Sequence, residues 1–323
     1  METITFEKIL PSMKFKLFLT LCLISIYTYS QEPTYTPKDI TINAFIDGTL
    51  LIPTDIEKPN LAIIVAGSGP TDRNGNQNLL KNNSLKKLAE GLSKEGIATF
   101  RYDKRIVKQI RRNNVDMNIR FDDFIIDAIS ILKHFKNSDA FNKVYIVGHS
   151  QGSLVGVVAA KQGADGFISL AGAGKPIDEV IIDQVTNTAP MFTDDTKRAF
   201  SILKDGKTTT DYPRALESIF NLETQPFMMS WMSYNPQEEI RDLEIPILII
   251  NGTKDLQVSE EEANLLHSAN SNSTLKIIQK MNHILVPIEG DTLENSKSYN
   301  ESQRKISEEL IKTIVSFINN NNN

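Results

Sequence analysis

Apolar residues along most of this chain fall into short continuous runs that alternate with stretches of helical spacing. Val, Ile and Leu dominate the runs, which lie at 61–67, 97–103, 143–148, 166–172, 245–252 and 274–280. Apolar residues recur at helical intervals in the other stretches, at 84–96, 121–137, 152–163 and 306–318. Continuous apolar strands are typical of a parallel sheet that is covered on both faces. The alternation therefore predicts an α/β fold with a mostly parallel, doubly wound sheet.

A β-hairpin is predicted ahead of the first buried run. Residues 40–52 read ITINAFIDGTLLI, in which Asp47 and Gly48 separate two apolar stretches. An Asp-Gly pair between such stretches favours a tight turn. The sequence therefore predicts that the hairpin turns at Asp47 and Gly48.

The alternation breaks between residues 175 and 241. This segment has no strand-like pattern and is rich in methionine and aromatic residues. Because ligands of α/β sheets bind at the carboxyl ends of the strands, an insertion between two strands predicts a helical cap over that edge. One interpretation is that Phe227, Trp231 and Met232 line an acyl pocket, and the other is that the segment forms a small core of its own. The core of the fold is predicted at 31–174 and 242–323.

The first thirty residues predict a signal peptide rather than a part of the fold. Lys14 and Lys16 precede an apolar stretch, and small residues stand before Gln31. This layout predicts translation from Met13, cleavage after Ser30 and export to the periplasm or the medium, with no membrane association of the mature chain. An uncleaved anchor is less favoured because the stretch is short for a membrane-spanning helix. N-terminal sequencing of exported protein would test the cleavage site.

Cysteine content and charge exclude several kinds of chemistry. Cys22 is the only cysteine and lies in the predicted signal peptide, so no disulfide and no thiol nucleophile are expected in the mature chain. A lipoprotein modified at Cys22 is disfavoured because the preceding Leu21 is large. The net charge of −5 gives no electrostatic reason to expect nucleic acid. No residues have metal-ligand spacing, so neither a metal nor an organic cofactor is expected.

The residues GHSQG at 148–152 predict a serine nucleophile. They follow a buried strand directly and open a helix, which is the placement of a nucleophile elbow. The two glycines permit a tight turn between backbone segments, and the turn projects Ser150 over the edge of the sheet. The alternative is a serine that only caps the helix at the end of a strand.

A serine nucleophile requires a base and an acid. Among four histidines, His283 follows a predicted strand at its carboxyl end, so it is the predicted base. His149 stands beside Ser150 within the motif and is not expected to reach round to the serine hydroxyl. Asp255 follows the strand at 245–252 and is the predicted acid, although it could instead cap the next helix.

A glycine-rich turn follows the first buried run. Residues 68–76 read SGPTDRNGN, and the backbone N–H groups freed by this turn would face the same edge of the sheet as the serine motif. Backbone N–H groups in such a place stabilise the oxyanion of an acyl-transfer reaction. Ser68 N–H and Gln151 N–H are the predicted donors.

Charged residues stand close to two of the predicted strand ends. Asp72 and Arg73 lie in the glycine-rich turn, and Asp103 and Arg105 follow the strand at 97–103. The favoured interpretation is a buried ion pair that ties two loops together. The alternative is an element that recognises the amine or carboxylate of a peptide substrate.

These motifs, taken together, resemble those of a known group of enzymes. The segments that carry the resemblance are GHSQG, AGSGPTDRNGN (66–76), RYDKR (101–105), GTKDLQV (252–258) and the pair Asn282-His283. They resemble bacterial α/β-hydrolases related to serine aminopeptidases, monoglyceride lipases and small carboxylesterases. The resemblance covers most of residues 40–318 and is specific at these motifs. It implies the α/β-hydrolase fold, with the catalytic residues in the chain order Ser150, Asp255, His283.

Two departures from the family pattern are visible. Ile106, Val107 and Lys108 stand where such families continue the Asp-Lys-Arg step with glycines and a serine. The oxyanion turn also lacks the histidine that many relatives place before its glycine. The first departure leaves the conformation of that loop open, whereas neither of them affects the triad.

The sequence therefore predicts a serine hydrolase that cleaves carboxylic esters through an acyl-enzyme on Ser150. A cap rich in methionine and aromatic residues suits an apolar acyl chain, so the expected partner is a small-molecule ester. The first alternative is a serine aminopeptidase or other peptidase that acts on short peptides, since Asp178, Glu179 and Asp183 lie in the cap. The second is a non-catalytic binding protein on a hydrolase scaffold.

Overall fold

A mostly parallel sheet of eight strands forms the centre of the protein, in a computed structural model that describes residues 34–321. The strands are β1 (Tyr35–Thr41), β2 (Asp47–Pro53), β3 (Leu61–Val65), β4 (Ala98–Tyr102), β5 (Val144–His149), β6 (Gly166–Leu170), β7 (Ile247–Gly252) and β8 (Thr274–Ile278). Their order across the sheet is β1-β2-β4-β3-β5-β6-β7-β8. The pairs β1–β2 and β2–β4 are antiparallel, and all pairs from β4 to β8 are parallel.

Helices follow most of the strands and cover both faces of the sheet. They are α1 (Ser84–Lys94), α2 (Arg105–Arg111), α3 (Phe121–Lys136), α4 (Gln151–Ala160), α5 (Ile177–Thr188), α6 (Thr193–Lys204), α7 (Glu217–Phe220), α8 (Gln225–Met232), α9 (Pro236–Arg241), α10 (Glu260–Ala269), α11 (Thr292–Ser298) and α12 (Glu308–Asn320). Short 3₁₀ turns occur at Pro190–Phe192 and Arg214–Leu216. This arrangement confirms the predicted doubly wound α/β fold.

The central strands are buried on both faces, which explains their continuous apolar sequences. Every residue of β3, β5, β6 and β7 is buried. Helices α3, α4 and α10 pack on one face, and α1 and α12 pack on the other. Each fully buried Leu, Ile or Phe side chain contributes about 1.5–3 kcal/mol. The two apolar layers therefore stabilise a sheet whose central strands have no exposed face.

The first hairpin forms, but the predicted position of its turn was wrong. The register of β1 against β2 places Asp47 and Gly48 within β2. The chain turns at 42–46, where the side-chain oxygen of Asn43 accepts hydrogen bonds from two backbone N–H groups. Gly48 instead makes room for a neighbouring strand, because a Cβ atom there would lie 2.2 Å from the ring of Phe100.

The insertion between β6 and β7 is helical. Helices α5 to α9 occupy it, and α5 to α8 pack around a small apolar cluster that includes Phe200, Phe220 and Met228. The insertion also packs on α3, where the rings of Trp231 and Phe121 are stacked with centroids 5.4 Å apart. It therefore has a core of its own and lies within the same compact unit as the sheet.

Two helices lie at places for which the sequence carried no prediction. Helix α2 begins at Arg105 directly after β4, where the chain departs from the family pattern, and α11 follows the loop that carries His283. The predicted signal peptide at 13–30 lies outside the described residues and stays a prediction. Between residues 34 and 321, none of the helices has the length and apolar character needed to cross a bilayer.

Candidate active site

The turn between β5 and α4 carries Ser150 in a strained backbone conformation. Ser150 has φ 55° and ψ −123°, a combination that residues other than glycine rarely adopt. Its N–H donates to the carbonyl oxygen of Leu170 at 2.9 Å. A Cβ atom at Gly148 would lie 2.2 Å from the Gly152 oxygen, and one at Gly152 would lie 2.3 Å from the Val65 oxygen. The close approach of these backbone segments thus requires both glycines of the motif.

His283 and Asp255 form a buried pair at the ends of β8 and β7. His283 Nδ1 lies 2.8 Å from Asp255 Oδ2, and their side chains are 5% and 0% exposed. The other oxygen, Asp255 Oδ1, accepts hydrogen bonds from the N–H groups of Gln257 and Val258. Asp255 therefore stabilises its own loop and also orients the histidine. A proton held on Nδ1 leaves Nε2 of His283 as the acceptor that a base requires.

Ser150 and His283 line the same cavity at the carboxyl edge of the sheet. In the part of the chain that the structure describes, no hydrogen bond joins the Ser150 hydroxyl to the His283 ring. Such bonds commonly tighten only when substrate is bound. The structure thus brings the three predicted triad residues to one place, with the Asp255–His283 contact already formed.

A buried amide network holds the two loops of this pair together. Asn295 of α11 donates to the carbonyl oxygen of Lys254 at 2.7 Å and accepts from the side chain of Asn282 at 2.8 Å. Lys254 immediately precedes Asp255, and Asn282 immediately precedes His283. Asn295 was not predicted from the sequence because its two partners, Asn282 and Lys254, lie 13 and 41 residues away from it in the chain. No local pattern distinguishes it from a surface asparagine.

His149 supports the backbone of His283 rather than the serine. Its Nε2 donates to the carbonyl oxygen of His283 at 2.7 Å, and the centroids of the two rings are 4.9 Å apart. Burial, followed by the proximity of His283, lowers the pKa of His149 to about 4. A neutral His149 therefore holds the loop of the base in place. The sequence predicted only that His149 does not reach the Ser150 hydroxyl, and it gave no indication of this supporting role.

The two predicted oxyanion donors belong to residues close to Ser150: Gln151 follows it in the chain, and Ser68 lines two cavities together with it. Gln151 is the first residue of α4, and N–H groups in the first turn of a helix have no intrahelical acceptor. Ser68 is exposed on the glycine-rich turn after β3. Within residues 34–321, neither N–H donates to another backbone or side-chain group. Both are therefore available to an oxyanion formed at Ser150.

Three cavities adjoin Ser68 close to Ser150. The first, here called the polar cavity, has a volume of about 350 Å³ and contains His283 and Ser150 in its wall. Its other lining residues with polar side chains are Ser68, Thr71, Gln77, Asn82, Ser84, His149, Gln257 and Tyr299. Of the three cavities, the polar cavity is the one whose wall contains His283.

The other two cavities lie toward the cap. The cap cavity, of about 290 Å³, reaches from Ser150 to α5 and is lined by Leu154, Lys175, Ile177, Val180, Ile181 and Gln184. The apolar cavity, of about 320 Å³, is lined largely by Ile106, Met117, Ile119, Phe124, Phe227 and Trp231. Trp231 borders both of them. The cap cavity thus has walls of mixed polarity, whereas the apolar cavity has mainly apolar walls, and both open next to Ser68 and Gln151.

The three cap residues singled out in the sequence have different surroundings. Trp231 and Phe227 line the apolar cavity. Met232 packs against the apolar cluster of the cap and lines none of the three cavities. The same helix, α8, thus presents one face to the site and another to the core of the cap.

Charged groups near the site form ion pairs. Arg73 binds Asp103 through its guanidinium at 2.9 Å and through its backbone N–H at 2.9 Å, which ties the glycine-rich turn to the end of β4. Arg105 pairs instead with Asp127 and Asp123 of α3. Within residues 34–321, no group of three or more His, Cys, Asp or Glu side chains is arranged to hold a metal ion.

This site lies on a chain that matches a known family. The family described as "Serine aminopeptidase, S33" matches residues 82–291, a range that contains Ser150, Asp255 and His283. The chain belongs to this family of α/β hydrolases. The match confirms the resemblance seen in the motifs, and the protein is a hydrolase by family.

Individual relatives point to the same fold. Esterase EstD of Thermotoga maritima is 27% identical over 288 residues, which cover 87% of this chain and 68% of the esterase. Est1E of Butyrivibrio proteoclasticus is similar in structure, with a TM-score of 0.55 and 16% identity over 88% of this chain and 98% of its own. The Pyrococcus furiosus esterase PF2001 is also similar in structure, with a TM-score of 0.51 and 15% identity over 88% of this chain and 91% of its own. The two structural likenesses support the α/β-hydrolase fold.

Proposed function

We propose that this protein is a serine esterase that forms an acyl-enzyme on Ser150. The proposal is carried by the hydrogen-bonded pair of His283 and Asp255, which borders the cavity that contains Ser150. The kinship with an esterase and the family match support hydrolysis as the reaction. A scaffold retained only for binding would not need a buried carboxylate that orients a histidine beside a strained serine.

The reaction follows from the roles of these groups. His283 Nε2 takes the proton of the Ser150 hydroxyl as the oxygen attacks the ester carbonyl. The carbonyl oxygen becomes an oxyanion, which accepts hydrogen bonds from Ser68 N–H and Gln151 N–H. The protonated His283 then donates to the alkoxide leaving group, and the alcohol departs. Water, deprotonated by His283, attacks the acyl-enzyme, and the acid leaves as Ser150 regains its proton.

The walls of the cavities favour an apolar acyl chain and a polar alcohol. The leaving alcohol must touch His283, which borders the polar cavity and neither of the other two. The acyl chain is then directed to the apolar cavity, where Phe124, Phe227 and Trp231 provide its contacts. We therefore propose esters of medium-length acyl groups with a hydroxylated or otherwise polar alcohol.

An aminopeptidase is the second candidate, because two carboxylates line the apolar cavity. Asp116 and Glu223 are exposed there and could bind the free amine of a peptide. Two of the acidic residues that the sequence singled out in the cap are engaged elsewhere: Asp178 pairs with Lys204, and Asp183 with Lys175. The greater part of the wall is apolar, which favours the ester.

A labelling and turnover experiment tests both candidates. The protein and its Ser150→Ala variant would be treated with a fluorophosphonate, then assayed on p-nitrophenyl esters of graded acyl length and on aminoacyl p-nitroanilides. We expect labelling and ester turnover for the protein and neither for Ser150→Ala. Ser153→Ala is a matched control, because Ser153 is buried and bonds Ser169, so this variant should retain both activities.

The other outcomes are informative. Turnover of the anilides without ester turnover would assign the protein as an aminopeptidase. A folded protein that is neither labelled nor active would overturn the proposed mechanism and favour a binding role.

A further inference from the structure

A lysine is buried directly behind the oxyanion turn. Lys104, at the end of β4, is only 5% exposed. Its ammonium lies 2.9 Å from the carbonyl oxygen of Gly67 and 2.7 Å from Oε1 of Gln151. It thus donates to the two stretches of chain that supply the oxyanion donors.

The Lys104 ammonium has no carboxylate partner among residues 34–321. Its other contact is the ring of Phe124, whose centroid is 4.2 Å away. Burial lowers the pKa of this lysine to about 7, so its placement here is unfavourable for the charged form. A side chain that only filled space would be apolar at this position, because burial of a charge without an ion pair is costly.

The contact with Gly67 has a geometric consequence for Ser68. The Gly67 carbonyl and the Ser68 N–H belong to one peptide unit, and that unit is trans. In a trans peptide the C=O and N–H bonds point in opposite directions within one plane. A donor that holds the carbonyl on the inner side therefore turns the Ser68 N–H outward, where Ser68 borders the three cavities. A donor at the carbonyl also polarises the peptide and strengthens its N–H as a donor.

The contact with Gln151 acts on the other donor. Gln151 begins α4, and its side chain is buried. A hydrogen bond from Lys104 to Oε1 fixes this side chain at the base of the helix, next to its own backbone N–H. One ammonium group thus connects the glycine-rich turn to the first residue of the helix.

We infer that Lys104 is a positioning residue that aligns the oxyanion donors Ser68 N–H and Gln151 N–H. The inference deepens the proposed esterase function and rests on it. Lys104 lines none of the three cavities, so its effect is expected on the transition state and not on ground-state binding.

Substitution of Lys104 by methionine tests this role. Lys104→Met keeps an unbranched side chain that is one atom shorter, and it removes both hydrogen bonds. We expect kcat on a p-nitrophenyl ester to fall by about 10- to 100-fold, less than the 10²–10³-fold expected from loss of a donor itself. KM should change by less than about three-fold. The Ki of a boronic acid, which forms a tetrahedral anionic adduct on serine, should rise by the same factor as kcat falls.

Lys108→Met is the matched control. Lys108 of α2 is four residues away and pairs with Asp47 at 2.6 Å, outside the site. Its variant should retain the kcat, KM and boronate Ki of the unmodified protein. If Lys104→Met does not fold, Lys104→Leu is measured in the same way, since leucine also lacks a hydrogen-bond donor.

The outcomes separate this inference from the proposed function. A folded Lys104 variant that has a lower melting temperature but unchanged kcat and boronate Ki would overturn the alignment role. An equal rise in KM and boronate Ki with kcat unchanged would also overturn it, because it would indicate a general binding defect. If the unmodified protein itself neither turns over esters nor reacts with the fluorophosphonate, the proposed function fails first.

Discussion

The positive φ of Ser150 is imposed by its neighbours and not by the serine. A residue held in such a region costs of order 1–3 kcal/mol, which the surrounding structure must offset. The N–H of Ser150 is bonded to β6, and the glycines on either side admit backbone atoms at distances that a Cβ atom would prevent. The strain thus serves to keep the hydroxyl at the edge of the sheet beside His283.

Asp255→Asn is expected to lower kcat by about 10⁴-fold with little change of structure. The amide can hold His283 in the wrong tautomer, with the proton on Nε2, so that the ring no longer accepts the serine proton. Ester turnover of this variant would be measured beside Asp139→Asn, whose carboxylate pairs with Lys58 on the surface. A loss of less than tenfold in Asp255→Asn would show that the carboxylate is not the orienting acid.

The elements of the site are held by contacts between segments that are far apart in the chain. The β7 and β8 loops, which carry Asp255 and His283, are joined by α11 through Asn295. The cap is joined to the sheet layers through α8, whose Trp231 stacks on α3. Helix α8 therefore couples the position of the cap to the walls of the cap cavity and the apolar cavity.

Trp231→Ala and Met232→Ala should separate the two faces of α8. Trp231 lines the apolar cavity, so its loss should lower kcat/KM on hexanoyl to decanoyl esters by about tenfold, a typical effect for lost apolar contact in a pocket. Acetyl esters should change by less than about three-fold. Met232 packs in the cap, so its variant should lose stability and keep its acyl-length profile. The profile would be recorded with p-nitrophenyl esters, and an identical profile for both variants would contradict the assignment of Trp231.

The free energy of unfolding of the whole molecule depends on pH through His149, which is buried beside His283. His149 is neutral because burial lowers its pKa to about 4, below the value of 6.5 that it has when exposed. Between these values the unfolded chain binds a proton that the folded chain does not bind. The free energy of unfolding is therefore unaffected by His149 above about pH 6.5 and falls as the pH is lowered toward 4.

Substitution of His149 by phenylalanine should make stability less dependent on pH. When the pH is lowered from 7 to 4.5, the free energy of unfolding should fall by about 2–3 kcal/mol more in the unmodified protein than in His149→Phe. The variant lacks the titrating ring, although it is less stable overall because the His283 carbonyl loses its donor. Guanidinium unfolding at both pH values provides the two differences. Equal differences in the two proteins would mean that His149 titrates normally in the folded state.

The fold could be predicted from the sequence because its signal is local. Strands that are buried on both faces need continuous apolar runs, and the helices between them need apolar residues on one side. Both patterns are visible in the amino-acid sequence itself. The same logic placed Ser150, Asp255 and His283 after strands whose carboxyl ends meet at one edge. The same logic placed the hairpin turn wrongly at Asp47 and Gly48. Glycine is needed at position 48 because the ring of Phe100 on a neighbouring strand leaves no room for a Cβ atom, and not because the chain turns there.

Side chains whose role depends on distant partners could not be found in this way. The sequence predicts no structural role for Lys104, His149 or Asn295. Their hydrogen-bond partners lie within about 3 Å only in the folded protein. Hydrogen bonds act over such short distances that sequence spacing carries no information about them. The pattern of apolar residues thus specifies the sheet and the edge at which the candidate site lies, whereas the packing of the loops specifies how the side chains of that site are aligned.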